Sequence, residues 1–312
     1  MSRPPLSPGA RATLAAQAQM PSPPFEQMSA PEARASFDAG WPALQLPPDP
    51  ALAEGPVPLL LADRPALCWR GAGAPATGAR AILYLHGGGW VVGSPASHAA
   101  ICQRLAAACG AVVICPDYRL APEHPFPAAA EDAIACLAAL PQVAAQLGLA
   151  PDRIIVAGDS AGGNLAAVAA LAAARDPALP QPRAQLLFYP NTDAGQTHLS
   201  YRRFAEGFGL SARTMRWFRD HYARPEDHAD WRLSPLRADP AGTAPAFVAL
   251  AGADILHDEG RAYAEALTAA GTPVETRLWE GHLHGFLSHC RHDPAALEAL
   301  AAAAQWLDRQ GI

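Results

Sequence analysis

Five residues, Gly158-Asp159-Ser160-Ala161-Gly162, constrain this chain more than any other stretch. They join a β-rich apolar run at 153–157 to an Ala-rich helical pattern that begins at Ala161. A turn this tight has no room for side chains two residues before and two after its centre, so glycine stands at both places. Ser160 is then expected to project from the strand end, with its oxygen near a helix N-terminus. Partial positive charge there favours a developing anion. Strand, turn and helix together point to a serine nucleophile.

From residue 80 onward the chain alternates between apolar runs and helical patterns. Strands are expected at 81–85, 111–115, 153–157, 184–189, 246–251 and 273–279. Helices are expected at 97–108, 128–140, from 161, at 258–270 and at 294–309. Continuous apolar strands separated by helices imply an α/β fold with a parallel sheet covered on both faces. Residues 57–61 and 66–69 add antiparallel edge strands, and a polar, aromatic stretch at 193–239 breaks the rhythm. Fourteen of the 32 prolines precede residue 66. Within that lead-in, 11–20 is a helical pattern, and Ser29 with Glu32 is a capping box opening a second helix that carries Phe37 and Trp41. Such a segment reads as an arm or lid.

Composition excludes several functions. The net charge is −6, and the 23 basic residues, all Arg, form no basic stripe, so no nucleic-acid partner is expected. The six cysteines contain no C-x-x-C pair and read as buried free thiols, which suits the cytoplasm. Arg3 is followed by Pro, Gln and Ser rather than a signal sequence, and the apolar run 165–174 is too short for a membrane span. His282, His284, His289 and His292 match no metal-ligand spacing and read as surface or loop histidines, so neither metal nor cofactor is expected.

His86-Gly87-Gly88-Gly89-Trp90 directly follows the 81–85 strand. Three glycines leave backbone N–H groups unshielded, which suits them to an oxyanion. His86 reads as a residue that holds this loop. A serine nucleophile also needs a base and an orienting acid. Asp254 follows the 246–251 strand, with Asp258 and Glu259 as rivals that resemble helix N-terminal carboxylates. His284 follows the 273–279 strand, and spacing alone does not separate it from His282. Phe25, Phe37 and Trp41 have little other core to bury them and are expected to wall a substrate pocket, with Trp90.

Further stretches match a known pattern: Asp117-Tyr118-Arg119-Leu120-Ala121-Pro122-Glu123, Phe126-Pro127-Ala128-Ala129, Tyr189-Pro190 with Asp193, and Ser234-Pro235-Leu236. With the two glycine motifs, they make the chain resemble the bacterial hormone-sensitive-lipase-like family (family IV) of carboxylesterases, in its G-D-S-A-G branch. The resemblance implies the α/β-hydrolase fold, with 51–192 and 241–312 as the catalytic core and 1–50 and 193–240 as a small helical cap. It also implies Ser160, His284 and Asp254 as nucleophile, base and acid, with Gly88, Gly89 and Ala161 as oxyanion donors. The implied substrate is a small ester of short to medium chain. A non-catalytic small-molecule receptor on the same fold is the alternative, and a homodimer is left open. Ile255, His257 and His282 depart from the family pattern.

Overall fold

The structure, a computed structural model, describes residues 4–20 and 22–312; Arg3 lies outside the described residues. Helices α1 (Pro8–Ala18) and α2 (Ala30–Leu44) form an N-terminal arm, followed by the hairpin β1 (Ala53–Leu61) and β2 (Arg64–Gly71). Next come β3 (Ala79–Leu85), α3 (Ala99–Cys109), β4 (Ala111–Pro116), α4 (Ala128–Leu147), β5 (Leu149–Asp159), α5 (Ala161–Arg175) and β6 (Ala184–Phe188). The short α6 (Ser200–Arg203) and α7 (Ala212–Tyr222) interrupt the alternation, which resumes with β7 (Ala246–Ala253), α8 (His257–Ala269), β8 (Val274–Leu283) and α9 (Ala295–Arg309).

The eight strands form one sheet in the order β1-β2-β4-β3-β5-β6-β7-β8. The β1–β2 and β2–β4 pairs are antiparallel and all others parallel. Alternation of side chains along each strand splits the core into two layers. Leu83, Val156 and Leu187 face α4 and α5, while Ile82, Tyr84 and Ile155 face α3 and α9. Strand order reverses at β3, which has β4 on one side and β5 on the other. That switch point opens a crevice at the strands' carboxyl ends, where the glycine loop leaves β3 and the serine turn leaves β5.

Two expectations need correction. The helix expected to stop at residue 140 runs on through Pro141 to Leu147. Pro141 lies on its exposed face, and Gly148 in the left-handed conformation ends it instead (φ 60°). The 153–157 strand is also longer, because Leu149 pairs with Ala79. α4 is the one helix among the described residues long and apolar enough to cross a membrane. Ala129, Ala133, Cys136 and Leu137 bury its inner face in the core, as in a sheet-covering helix. All six cysteines are free and buried.

Candidate active site

Ser160 stands between β5 and α5 at φ 56° and ψ −119°, a backbone conformation rarely held by a residue with a side chain. A Cβ on Gly158 would overlap the Gly162 carbonyl, and one on Gly162 would overlap the Leu85 carbonyl. The turn is fixed from three sides. Ser160 N–H donates to Phe188 O at 2.9 Å, and Ser160 O accepts the N–H groups of Asn164 at 3.0 Å and Asn191 at 3.1 Å.

Three residues far apart in sequence meet here. His284 Nε2 lies 2.8 Å from Ser160 Oγ, and His284 Nδ1 lies 2.9 Å from Asp254 Oδ2. Asp254 is buried, and its other oxygen accepts Leu256 N–H at 2.9 Å. Tyr189 packs its ring against His284, with centroids 4.9 Å apart, and so limits how the imidazole turns. His282 is engaged elsewhere: its Nδ1 bonds Asp293 Oδ2 at 2.7 Å. Asp258 and Glu259 do occupy the first turn of α8, but neither reaches His284. Asp258 accepts Ser200 N–H at 2.9 Å. Glu259 is not a solvated capping carboxylate; it is fully buried and accepts Thr192 N–H at 2.7 Å, and burial pushes its pKa well up.

The glycine loop lies beside this row. Gly88 and Gly89 have φ of 124° and 58°, and among the described residues neither N–H donates to a protein group. Ala161 N–H is at the first position of α5, where no acceptor within the helix is available. His86 is buried, stacks on Tyr118 with centroids 4.2 Å apart, and Tyr118 Oη donates to His86 O at 2.8 Å. Burial lowers the His86 pKa to about 3, so the ring is neutral and structural.

A family model described as alpha/beta hydrolase fold matches residues 82–288. The chain belongs to the α/β-hydrolase family. It is 45% identical over 231 residues to a carboxylic ester hydrolase, LipN, of Mycobacterium tuberculosis; the match spans 72% of this chain and 61% of that relative's length. It is 43% identical to an ethyl acetate hydrolase of Pseudomonas putida over 68% of each chain. An ester-hydrolase from the metagenome of Lake Arreo, complexed with a derivative of bipyridine phosphonate, superposes with a TM-score of 0.89 at 37% identity, covering 97% of this chain and 98% of that one. A thermostable esterase of Pseudomonas putida gives 0.89 at 32% identity, covering 97% of each. The resemblance to the bacterial hormone-sensitive-lipase-like esterases stands.

In this α/β hydrolase a cavity of about 460 Å³ opens above Ser160. Phe25, Phe37, Trp41 and Trp90 all line it, although the Trp90 ring is itself buried in a stack with Tyr222, centroids 4.6 Å apart. His289, read from sequence as a surface or loop histidine, is buried and lines the same cavity. Burial lowers its pKa to about 4. No group of three or more metal-ligating side chains occurs among the described residues. Sequence reading missed Met215 and Phe218, which close the cavity from α7. Their signal was present: Met215, Phe218 and Tyr222 recur at helical spacing and are the buried face of α7. Phe25 meets Phe218 edge to face at 5.7 Å, and Glu26 accepts from Thr214 Oγ1 at 3.1 Å, so the arm and α7 touch across the cavity.

Proposed function

We propose that this hydrolase is a serine carboxylesterase for uncharged esters of short to medium chain length, with Ser160 as nucleophile, His284 as base and Asp254 as its orienting acid. The observation that carries this reading is the row of two hydrogen bonds, 2.8 and 2.9 Å, from Ser160 through His284 to Asp254. His284 takes the hydroxyl proton as Ser160 Oγ attacks the ester carbonyl, and the tetrahedral oxyanion is held by the N–H groups of Gly88, Gly89 and Ala161. The imidazolium then protonates the departing alcohol, leaving an acyl-serine. Water attacks that ester by the same route, giving its proton to His284, which returns it to Ser160 as the acid leaves. Asp254 stays ionised and holds the imidazole in the required tautomer.

The cavity supports the substrate class. Its volume lies within the roughly 300–1,000 Å³ typical of small-molecule sites. No Arg or Glu lines it, and its one carboxylate, Asp159, is engaged by the protein, so neutral substrates fit. Described residues within 4–50 and 193–240 act as a cap over it: Phe25, Phe37, Trp41, Met215 and Phe218 form the apolar roof. Six free thiols suit the cytoplasmic location proposed here. Nitrophenyl acetate to decanoate hydrolysis, with and without Ser160→Ala, tests the reading. Loss of about 10⁴-fold in kcat is expected for the variant, together with loss of fluorophosphonate labelling. A variant that keeps most of its activity, or an inert wild type that only binds the ester, overturns it.

A further inference from the structure

Arg34 lies on α2 in the N-terminal arm, yet its side-chain hydrogen bonds all reach the body of the protein. Its Nε donates to Val91 O at 2.8 Å and its Nη2 to Ala121 O at 2.7 Å. The same guanidinium bonds the Glu123 carboxylate at 2.9 and 2.5 Å. Both carbonyls belong to the support of the glycine loop. The N–H groups of Val91 and Val92 return to Gly88 O at 3.1 and 2.9 Å, closing a turn on Gly88. Ala121 N–H donates to Trp90 O at 2.9 Å, holding that turn from its other side. One planar fork thus grips both pieces of chain that set the path of residues 88–92. Val91 and Ala121 are fully buried, so without Arg34 their carbonyls lose a donor that solvent does not readily replace.

We propose that Arg34 is a positioning residue for the oxyanion site, which makes docking of the arm a condition for the Gly88 and Gly89 N–H groups to point correctly. The inference rests on the esterase reading above and adds a part that it does not require. Phe37 and Trp41, three and seven residues on from Arg34, line the cavity, so one face of α2 both walls the substrate and braces the loop. The Arg34 hydrogen bond draws the Glu123 carboxyl down to about 2, keeping the pair ionised at working pH. Lysine does not substitute for this arrangement. A point ammonium can keep the Glu123 pair but cannot bond both carbonyls in one plane.

The test combines kinetics with amide hydrogen exchange on the intact chain. Arg34→Ala is expected to lower kcat for a nitrophenyl acetate about 10- to 100-fold, with KM within about twofold, because oxyanion donors act on the transition state. Arg34→Lys is expected to recover only part of the loss, and Glu123→Gln, which leaves the fork on its carbonyls, is expected to keep kcat near wild type. Exchange of the Val91 and Val92 amides is expected to quicken in both Arg34 variants while the sheet amides stay protected. Unchanged exchange at those two amides, or full recovery by lysine, overturns the proposal. Should Arg34→Ala fail to fold, the lysine variant carries the same test. Faster exchange in a protein whose wild type hydrolyses no ester upholds the brace and fails the esterase reading instead.

Discussion

The Asp159 carboxylate accepts the backbone N–H of Gly87 at 2.9 Å. Asp159 is the last residue of β5 and the neighbour of Ser160, and Gly87 begins the glycine run after β3. This bond therefore ties the serine turn to the proposed oxyanion loop across the switch point of the sheet. The same oxygen accepts Tyr84 Oη at 2.7 Å, and His98 Nε2 lies 3.6 Å away. Burial by itself would raise the Asp159 pKa. His98, Tyr84 and the Gly87 N–H outweigh that and hold it below the ordinary carboxylate value.

Asp159→Asn is accordingly expected to lower kcat about 10- to 100-fold, through a displaced loop, since each misplaced oxyanion donor is costly. An amide presents donors to a site built of donors. The stabilisation from the lowered pKa is full above the unfolded carboxylate value of about 3.9 and is lost as pH falls through the lower folded value. Acid denaturation curves and steady-state kinetics measure both effects. A variant matching wild type in both would show that the tie is dispensable.

His284→Ala is expected to lower kcat by about 10⁴-fold, whereas His282→Ala is expected to leave kcat nearly intact and lower Tm. His282 bonds Asp293 at 2.7 Å and the Ser7 hydroxyl at 3.3 Å. Asp293 in turn accepts Ala295 N–H at the start of α9, at 3.1 Å. His282 thus joins the arm to the body rather than to Ser160. Kinetics and melting curves for the two variants, side by side, decide the matter; equal kinetic damage would refute the assignment.

What the sequence made legible follows from local rules. The glycines around Ser160 are demanded by backbone overlap within one turn, and the parallel sheet by apolar runs buried on both faces. The site residues that depended on long-range direction were not legible in the same way. His282 and His284 stand two residues apart at the end of one strand, and only their long-range partners, Asp293 for the first and Asp254 for the second, separate them. Glu259 looked like a helix-end charge because chain position does not reveal that its side chain turns inward to Thr192. Arg34 carried no signal at all. Its partners are 57, 87 and 89 residues away, and an arginine on a helix has the same local pattern whether or not it reaches them.

Gly89→Ala is expected to abolish most activity for a reason that can be isolated. A Cβ at this position would run into the Phe218 ring of α7, and φ of 58° adds a smaller strain. Pairing the change with Phe218→Ala removes the ring and is expected to restore kcat about tenfold over Gly89→Ala alone, a coupling expected of residues in contact. Strictly additive effects in the cycle would place the damage in the backbone instead.

Stability should fall as pH drops below about 6.5, the ordinary histidine value. Burial holds His86 and His289 neutral in the folded state down to about 3 and about 4. The unfolded chain takes up these protons first, so stability rises with pH across that window and the effect is absent above it. At pH 5 each histidine accounts for about 2 kcal/mol of the loss. Urea midpoints at pH 7.5 and 5 measure it, and His289→Asn is expected to halve the contribution of the pair. A variant with the full wild-type pH dependence would remove His289 from the account.

Phe37→Ala is expected to move the chain-length preference upward. Phe37 lines the cavity and stacks on His98 with centroids 6.4 Å apart, so its ring bounds the space a substrate chain can enter. Each methylene that the enlarged cavity buries contributes about 0.8 kcal/mol, so room for two more favours the longer ester about tenfold in relative kcat/KM. Hydrolysis of acetate is expected to change little, because the shortest acyl group does not reach that wall. Trp41→Ala, one turn further along α2, offers the comparison: whichever variant shifts the profile marks the wall that the chain meets. Kinetics across nitrophenyl esters of two to ten carbons provide the measurement, and a profile unchanged in both variants would place the acyl chain elsewhere in the cavity.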